Sequence, residues 1–334
     1  MKEKLNYTLV MGYGWSGSSA VVDLIKEIDG FEEAGVEFRV IKDPYGVIDL
    51  RSRLAEKWDP LNSDMAIRDF LWLVDRLNGK QSYFSKAGLE YQKYFGDQFL
   101  KASYQYIENL IQFGYRGSWW FMDFKMSFGN YFFKRLLRKM KIYDFSQQRK
   151  MNFSCLTEQE FDRITQEYMD ALFASLIKID TDHVVIDQAL PMHSISLGKN
   201  FFRGAKIIVV DRDPRDIYVD LIHGGGLIGR ELAISHDTEK YIRWHRALRS
   251  SVESKDQLED VLFINFEDLV LQYDTARSRI LQFLGVDPVR SVKEKEYFVP
   301  EKSKKNVGLW KDYEYPEEIN RIQEALPDFC RAVD

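Results

Sequence analysis

Cysteine is nearly absent: the 334 residues hold two, Cys155 and Cys330. Neither has partners at metal-ligand spacing, and two thiols make no disulfide framework, so a reducing compartment, the cytoplasm, is expected. Long apolar runs are missing too. No stretch approaches the length of a membrane-spanning helix, and MKEKLNYTLV at the start has no signal-like apolar core, so the expectation is a cytoplasmic protein without an integral membrane segment. Positive charge is not in excess: 47 Lys and Arg face 52 Asp and Glu, for a formal net charge of -5. That balance argues against nucleic acid as a partner, so an anionic ligand has to be held in a focused pocket. Proline is sparse, at eight, and there is no Pro/Gly/Ser linker, internal repeat or low-complexity tract. One domain over residues 1–334 is the simplest organisation, and 45% hydrophobic residues make an ordinary soluble core.

The chain does have a glycine-rich turn, in "VMGYGWSGSSAVVDL" from Val10 to Leu24. Three templates fit it. Gly12, Gly14 and Gly17 match the dinucleotide-binding G-x-G-x-x-G. Gly12 with Gly17, Ser18 and Ser19 matches the triphosphate-binding G-x-x-x-x-G-K-[ST], except that Ser18 stands where the lysine belongs. The third template is a loop that holds a phosphosulfate. All three share one physical core, because a strand turning tightly into a helix aims unpaired N–H groups and the positive end of the helix dipole at an anion.

Apolar patterning sets the surroundings of this turn. Tyr7 to Met11 reads as a buried strand and Ser18 to Ile28 as a helix, with Ala20, Val21, Leu24, Ile25 and Ile28 on one face. Val36 to Ile41 reads as a second strand, stopped by Asp43-Pro44, which gives a β-α-β opening. From about Leu50 to Leu176 the pattern is helical and rich in aromatics. Strands return at Val184 to Ile186, Lys206 to Val210 and Val261 to Phe266, with helices from Asp216 and from Tyr273 to Leu284, the last ended by Gly285. The expected fold is α/β: a central parallel sheet of about four or five strands flanked by helices, with a helical aromatic-rich insertion over residues 50–176 forming an acceptor-side cap over one edge.

The segment "KIIVVDRDPRDIYVDL" places Arg212 at the C-terminal edge of a strand, where open parallel sheets bind ligands, and Arg215 at the start of a helix. It resembles the 3'-phosphate-binding segment of sulfotransferases that use 3'-phosphoadenosine 5'-phosphosulfate (PAPS). Three further pieces follow in that family's order. "GYGWSGSSAVVDLI" resembles its 5'-phosphosulfate loop, "FINFEDLV" its Y-E-D-L strand end, and "KSKKNVGLWKDY" the late basic loop that closes over the nucleotide. The resemblance implies a P-loop-like fold and transfer of a sulfonate from PAPS to a hydroxyl or amine, leaving PAP, with no metal. It also implies a donor site of Gly14, Trp15, Ser16, Gly17, Ser18 and Ser19 for the 5'-phosphate, and Arg212, position 220, Lys304 and Lys305 for the 3'-phosphate.

Departures from the family are as informative. Trp15 occupies the place of the loop Lys or Arg, and Arg39, Lys42 and Lys125 are the cations available to replace it. Asp220 stands where many members carry a phosphate-binding Ser, and a carboxylate there repels phosphate unless it points away or pairs with a cation. "DQALP" aligns with K-T-H-L-P, so Ala189 replaces the usual histidine base. In glycosaminoglycan sulfotransferases the base is a glutamate at the separation from the loop that Glu37 has here; Glu37 is therefore the first candidate base, with His193 and Asp187 in reserve and His223 behind them. The acceptor expected is a small molecule or a glycan, the glycan favoured by the glutamate base and a sterol or phenol as the alternative. Two other classes compete. A kinase lacks its lysine at Ser18, and a Rossmann oxidoreductase leaves Arg212 and "FEDL" without a role. A sulfotransferase fold that only binds, because Trp15 and Asp220 have abolished PAPS use, remains the third.

Overall fold

A computed structural model describes residues 5–80, 88–117, 124, 126–140, 149–176, 178, 181–250, 252, 258 and 260–332. The strands, in chain order, are β1 Asn6–Gly12, β2 Phe31–Glu33, β3 Phe113–Gly117, β4 Arg149–Phe153, β5 His183–Asp187, β6 Lys206–Asp211 and β7 Val261–Asn265. Five of them form a parallel sheet in the order β2-β5-β1-β6-β7, and β3 pairs with β4 as a separate antiparallel hairpin.

β1 is central and buried on both sides, which is why Tyr7 to Met11 reads as a continuous apolar run. Its alternate residues feed two cores. Tyr7, Leu9 and Met11 join Val184, Ile186, Ile207 and Val209 beneath helices Pro60–Asn78, Gln98–Leu110 and Glu158–Phe173. Val10 joins Val185, Ile208 and Val210 beneath helices Ser18–Ile25 and Tyr273–Leu284. A third cluster packs helices Pro214–Gly224, Thr238–Ser250 and Pro316–Ala325 together. The expected parallel sheet with helices on both faces is thus present.

Two expectations change. Val36 to Ile41 is not a strand, and β5 rather than β2 lies next to β1. The second strand is the shorter Phe31–Glu33; Gly35, at φ +76°, then turns the chain off the sheet. Phe38, Val40 and Ile41 are apolar because they pack into the core from a loop. The aromatic insertion is also not wholly helical, since it contains the β3–β4 hairpin, and its three long helices cover one face of the sheet rather than capping an edge.

One helix of the insertion stands apart. Phe128–Lys139 buries none of its residues and carries four cations and no carboxylate.

Candidate functional site

The C-terminal edge of the parallel sheet gathers the glycine-rich turn, Arg212 and the late basic loop. β1 ends at Gly12, and the chain turns through Gly14 at φ +81°, Trp15 at +54° and Gly17 at +83° into the helix Ser18–Ile25. Gly12 has to lack a side chain, because a Cβ there would stand 2.0 Å from Ser16 Oγ. Gly17 is doubly constrained: besides its left-handed φ, a Cβ would meet the Phe266 ring at 2.4 Å. No side chain caps this helix, so its first N–H groups are left for an anion. Ser16 itself is folded inward, buried and without a hydrogen-bond partner.

Arg212, buried at the end of β6, ties three segments together. Its Nη1 donates to the Trp15 carbonyl at 3.0 Å across 197 residues of sequence, and its Nη2 donates to the Asn306 carbonyl at 2.6 Å in the late loop. It also pairs with Asp220, so the carboxylate expected to repel a phosphate is held on the very cation expected to bind one. Its Nε is buried without a partner, and its guanidinium stands 5.2 Å from the Phe266 ring centre. Gly17, Ser19, Arg212 and Phe266, with Tyr297, Phe298, Lys302 and Ser303, line a cleft of about 270 Å³ that also includes Asp23 and Glu296. Lys304 and Lys305 are exposed on the turn just beyond it and are not among the residues lining this cleft; Lys302 is.

The remainder of the Arg212 motif is scaffold. Asp213 caps its helix by accepting from Arg215 N at 2.8 Å and also accepts from Arg331 N at 2.8 Å. Arg215 pairs with Asp213 and lies 3.8 Å over the Trp310 ring. Asp216 accepts from Gly308 N at 2.8 Å and Trp310 N at 3.3 Å, which anchors the late loop. Glu267 of "FEDL" accepts from Asp213 N at 2.8 Å, and burial pushes its carboxyl up to about 7.

Beside the glycine-rich turn, at the ends of β5 and β2, lies a second cluster. Asp187 holds the last paired position of β5, opposite Val10, and one of its oxygens is buried without a partner. Burial pushes its carboxyl up to about 6; the Ser18 hydroxyl works against that rise, and Glu37 adds to it. Gln188 follows at φ +55° and donates from Nε2 to Ser18 Oγ at 3.0 Å. Glu37 lies in the loop after β2, where it accepts from Lys42 at 2.7 Å and Arg39 at 3.3 Å. Burial alone would raise its carboxyl, but the two cations more than offset that and hold it below the usual range. Arg39 also pairs with Asp43 at 2.7 Å. The Phe38 amide donates to the Asp187 carbonyl at 3.2 Å, which sets Glu37 and Arg39 beside Asp187. His193 is exposed on the turn after β5, Ala189 is buried, and Lys125 lies outside the described residues.

Several residues with no motif signal complete the site. Tyr91, buried, donates to the Glu37 carbonyl at 2.7 Å and accepts from Arg39 N at 2.8 Å, so it pins the Phe38 loop from the insertion. Arg249 lies 3.3 Å over the Tyr13 ring and donates at 2.5 Å to Asp211, whose Oδ1 also accepts from Arg212 N at 2.8 Å. Trp15 lays its indole over Gly224 and Gly226, where a Cβ on Gly226 would stand 2.3 Å from the ring; the glycine run after the Arg212 helix could have pointed to this close approach. A mostly apolar groove of about 400 Å³ adjoins the second cluster through Arg39 and Asp43, with Tyr45, Trp72, Leu73, Arg76 and Leu89 along its sides.

Comparison with known proteins bears on this arrangement. No curated protein matches the chain. Solved structures that match the chain include a sulfotransferase domain from the curacin biosynthetic pathway, at 12% identity and TM-score 0.38 over 97% of this chain and 98% of that one. A sulfotransferase domain from the Synechococcus PCC 7002 olefin synthase has 12% identity and TM-score 0.40, over 99% and 95%. The sulfotransferase STF9 from Mycobacterium avium has 11% identity and TM-score 0.37, over 97% and 75%. The family model described as "Sulfotransferase family" matches residues 112–290, which take in Asp187, the Arg212 motif and "FEDL" and leave the glycine-rich turn and the late loop outside. Because that match spans more than half of the sequence, and the Arg212 motif within it closes on the glycine-rich turn, the chain belongs to the sulfotransferase family.

Proposed function

We propose that the protein transfers a sulfonate from PAPS to the hydroxyl of an acceptor with an apolar, ring-bearing body. The observation that carries this reading is the cleft that joins the uncapped helix start at Gly17 and Ser19 to Arg212 and Lys302. In the transfer, a bond forms between the acceptor oxygen and sulfur while the bond from sulfur to the 5'-phosphate oxygen breaks, releasing PAP. The residues present suit the parts of such a donor. Backbone N–H groups at Ser18 and Ser19 suit the 5'-phosphate, Phe266, Tyr297 and Phe298 suit the adenine face, and Arg212 with Lys302 suits the 3'-phosphate once that phosphate takes the place of Asp220.

Asp187 is the general base of this reading. It lies beside Ser18 with an unpartnered oxygen, and a carboxyl near 6 is ionised at neutral pH yet basic enough to accept the acceptor's proton. Lys42, bound to Glu37 and felt by Asp187, supplies the positive charge that Trp15 does not. Glu37, held ionised by two cations, positions Lys42 rather than taking a proton. The preference for a glycan rested on a glutamate base and loses that support, whereas the groove beside Arg39 offers Trp72, Tyr45 and leucines to a sterol- or phenol-like ring.

Titration calorimetry with PAP and with adenosine 5'-phosphosulfate tests the donor. Arg212→Ala should weaken PAP by roughly 10- to 150-fold, the equivalent of about 1.5–3 kcal/mol for a charge-assisted hydrogen bond, and leave adenosine 5'-phosphosulfate nearly unchanged. No PAP binding by the wild type would favour the fold as a binder of something else, and equal losses for both nucleotides would give Arg212 a purely structural role.

A further inference from the structure

The helix Phe128–Lys139 has no part in the site above, and its surface is unlike the rest of the molecule. Phe128 is 83% exposed, and Phe132 and Phe133 are each 60% exposed. With Leu136 and Met140, also exposed, they fall within an arc of about 140° at 3.6 residues per turn. Lys134 and Arg138 lie on the opposite side, Arg135 and Lys139 each fall within about 20° of Phe128 at the edge of the arc, and there is no carboxylate from 126 to 140. A cationic helix with an uncovered aromatic face is thus presented by a chain whose net charge is -5.

We propose that this helix seats the protein on an anionic lipid surface, its phenylalanines entering the headgroup and acyl boundary and Arg135 and Lys139 beside them meeting lipid phosphates. Two features favour a bilayer over a second copy of the chain. Pairing two such helices through this face would bring Arg135 and Lys139 of both copies together without a carboxylate from either helix. The apolar arc is also broad and convex, as in helices that lie in a bilayer interface with charged residues opposite. The helix lies on the surface rather than crossing it: twelve residues span about 18 Å, and no helix among the described residues is long and apolar enough to cross a membrane. This inference does not depend on the donor or the acceptor.

The test is flotation of the full chain with vesicles of phosphatidylcholine alone and with phosphatidylglycerol added, at low and high salt. The wild type should float with the phosphatidylglycerol vesicles at low salt and far less with phosphatidylcholine. Phe128→Ser with Phe132→Ser should lower vesicle affinity at least tenfold, and Arg135→Glu with Lys139→Glu should abolish the lipid preference; circular dichroism and thermal unfolding check that both variants are folded. Failure of the wild type to float, or equal flotation of the serine variant, overturns the proposal. So does concentration-dependent self-association in sedimentation that the serine variant loses, since that assigns the face to a second copy.

Discussion

Asp187 and Glu37 lie at the same sheet edge, yet their surroundings move their acidities in opposite directions. Burial with an unpartnered oxygen raises the first to about 6, and two cations outweigh burial at the second. A base must be ionised to accept a proton, so turnover should be full above pH 6 and fall as the pH drops through that value. Asp187→Asn should lower kcat by roughly 10²- to 10⁴-fold with PAP affinity intact, and Glu37→Gln should keep the acid limb of the pH–rate profile. A base elsewhere is indicated if Asp187→Asn keeps most of its turnover or if the acid limb vanishes in Glu37→Gln. Both carboxylates are visible in the sequence, but their roles are not. Which of them meets Lys42 and Arg39 depends on a loop path that no local pattern encodes. Arg212 is the converse case: its strand, edge position and following helix are all written in one segment, while the Asp220 contact depends on which way a single side chain turns.

Among the elements, the loop holding Glu37 and Arg39 depends on a residue more than fifty positions away. The Tyr91 hydroxyl pairs with the backbone on both sides of Phe38, at Glu37 O and Arg39 N. Tyr91→Phe leaves both groups without that partner in a part-buried place, which should cost about 1–3 kcal/mol in denaturant unfolding. Because the loop carries Lys42 and borders the groove, kcat/KM for the acceptor should fall while PAP affinity holds. An equal loss of PAP affinity would mean that the loop also shapes the donor site. Strands β1, β5 and β6 were readable because both of their faces are buried, and β7 because it packs partly buried against both cores, so their apolar runs are short and bounded. Val36 to Ile41 carries the same apolar content for a different reason: Phe38, Val40 and Ile41 enter the core from a loop, and Gly35 leaves the sheet first. The β3–β4 hairpin was hidden within an aromatic stretch whose helical spacing dominates on either side of it.

For the molecule as a whole, buried titrating groups oppose one another. Glu267 rises from 4.5 to about 7, mainly by burial, so its contribution to stability is full below pH 4.5 and is lost as the pH climbs through 7. Asp187 acts in the same direction. His245 is lowered from 6.5 to about 3, by burial and then by Arg249 and Arg246, so its contribution is full above pH 6.5 and is lost as the pH falls towards 3. Between pH 4.5 and 6.5 the slopes of Glu267 and His245, about 1.4 kcal/mol per pH unit each, largely cancel. Melting curves should show Glu267→Gln losing stability more steeply on acidification than the wild type, and His245→Phe less steeply; parallel curves for all three would rule out this balance. The fold class was legible as alternating strands and helices, but the place of β5 between β2 and β1 was not, because strand order is settled by packing between distant segments. The Arg212–Asp220 pair has a last consequence, in the response to ionic strength. Binding a phosphate there exchanges one anion for another on the same guanidinium. That contact frees one anion for each it takes up, so it should add little to the salt dependence of PAP affinity. Asp220→Asn exposes the bare cation, and the same titration should then show tighter binding at low salt and a visibly steeper decline as salt is added.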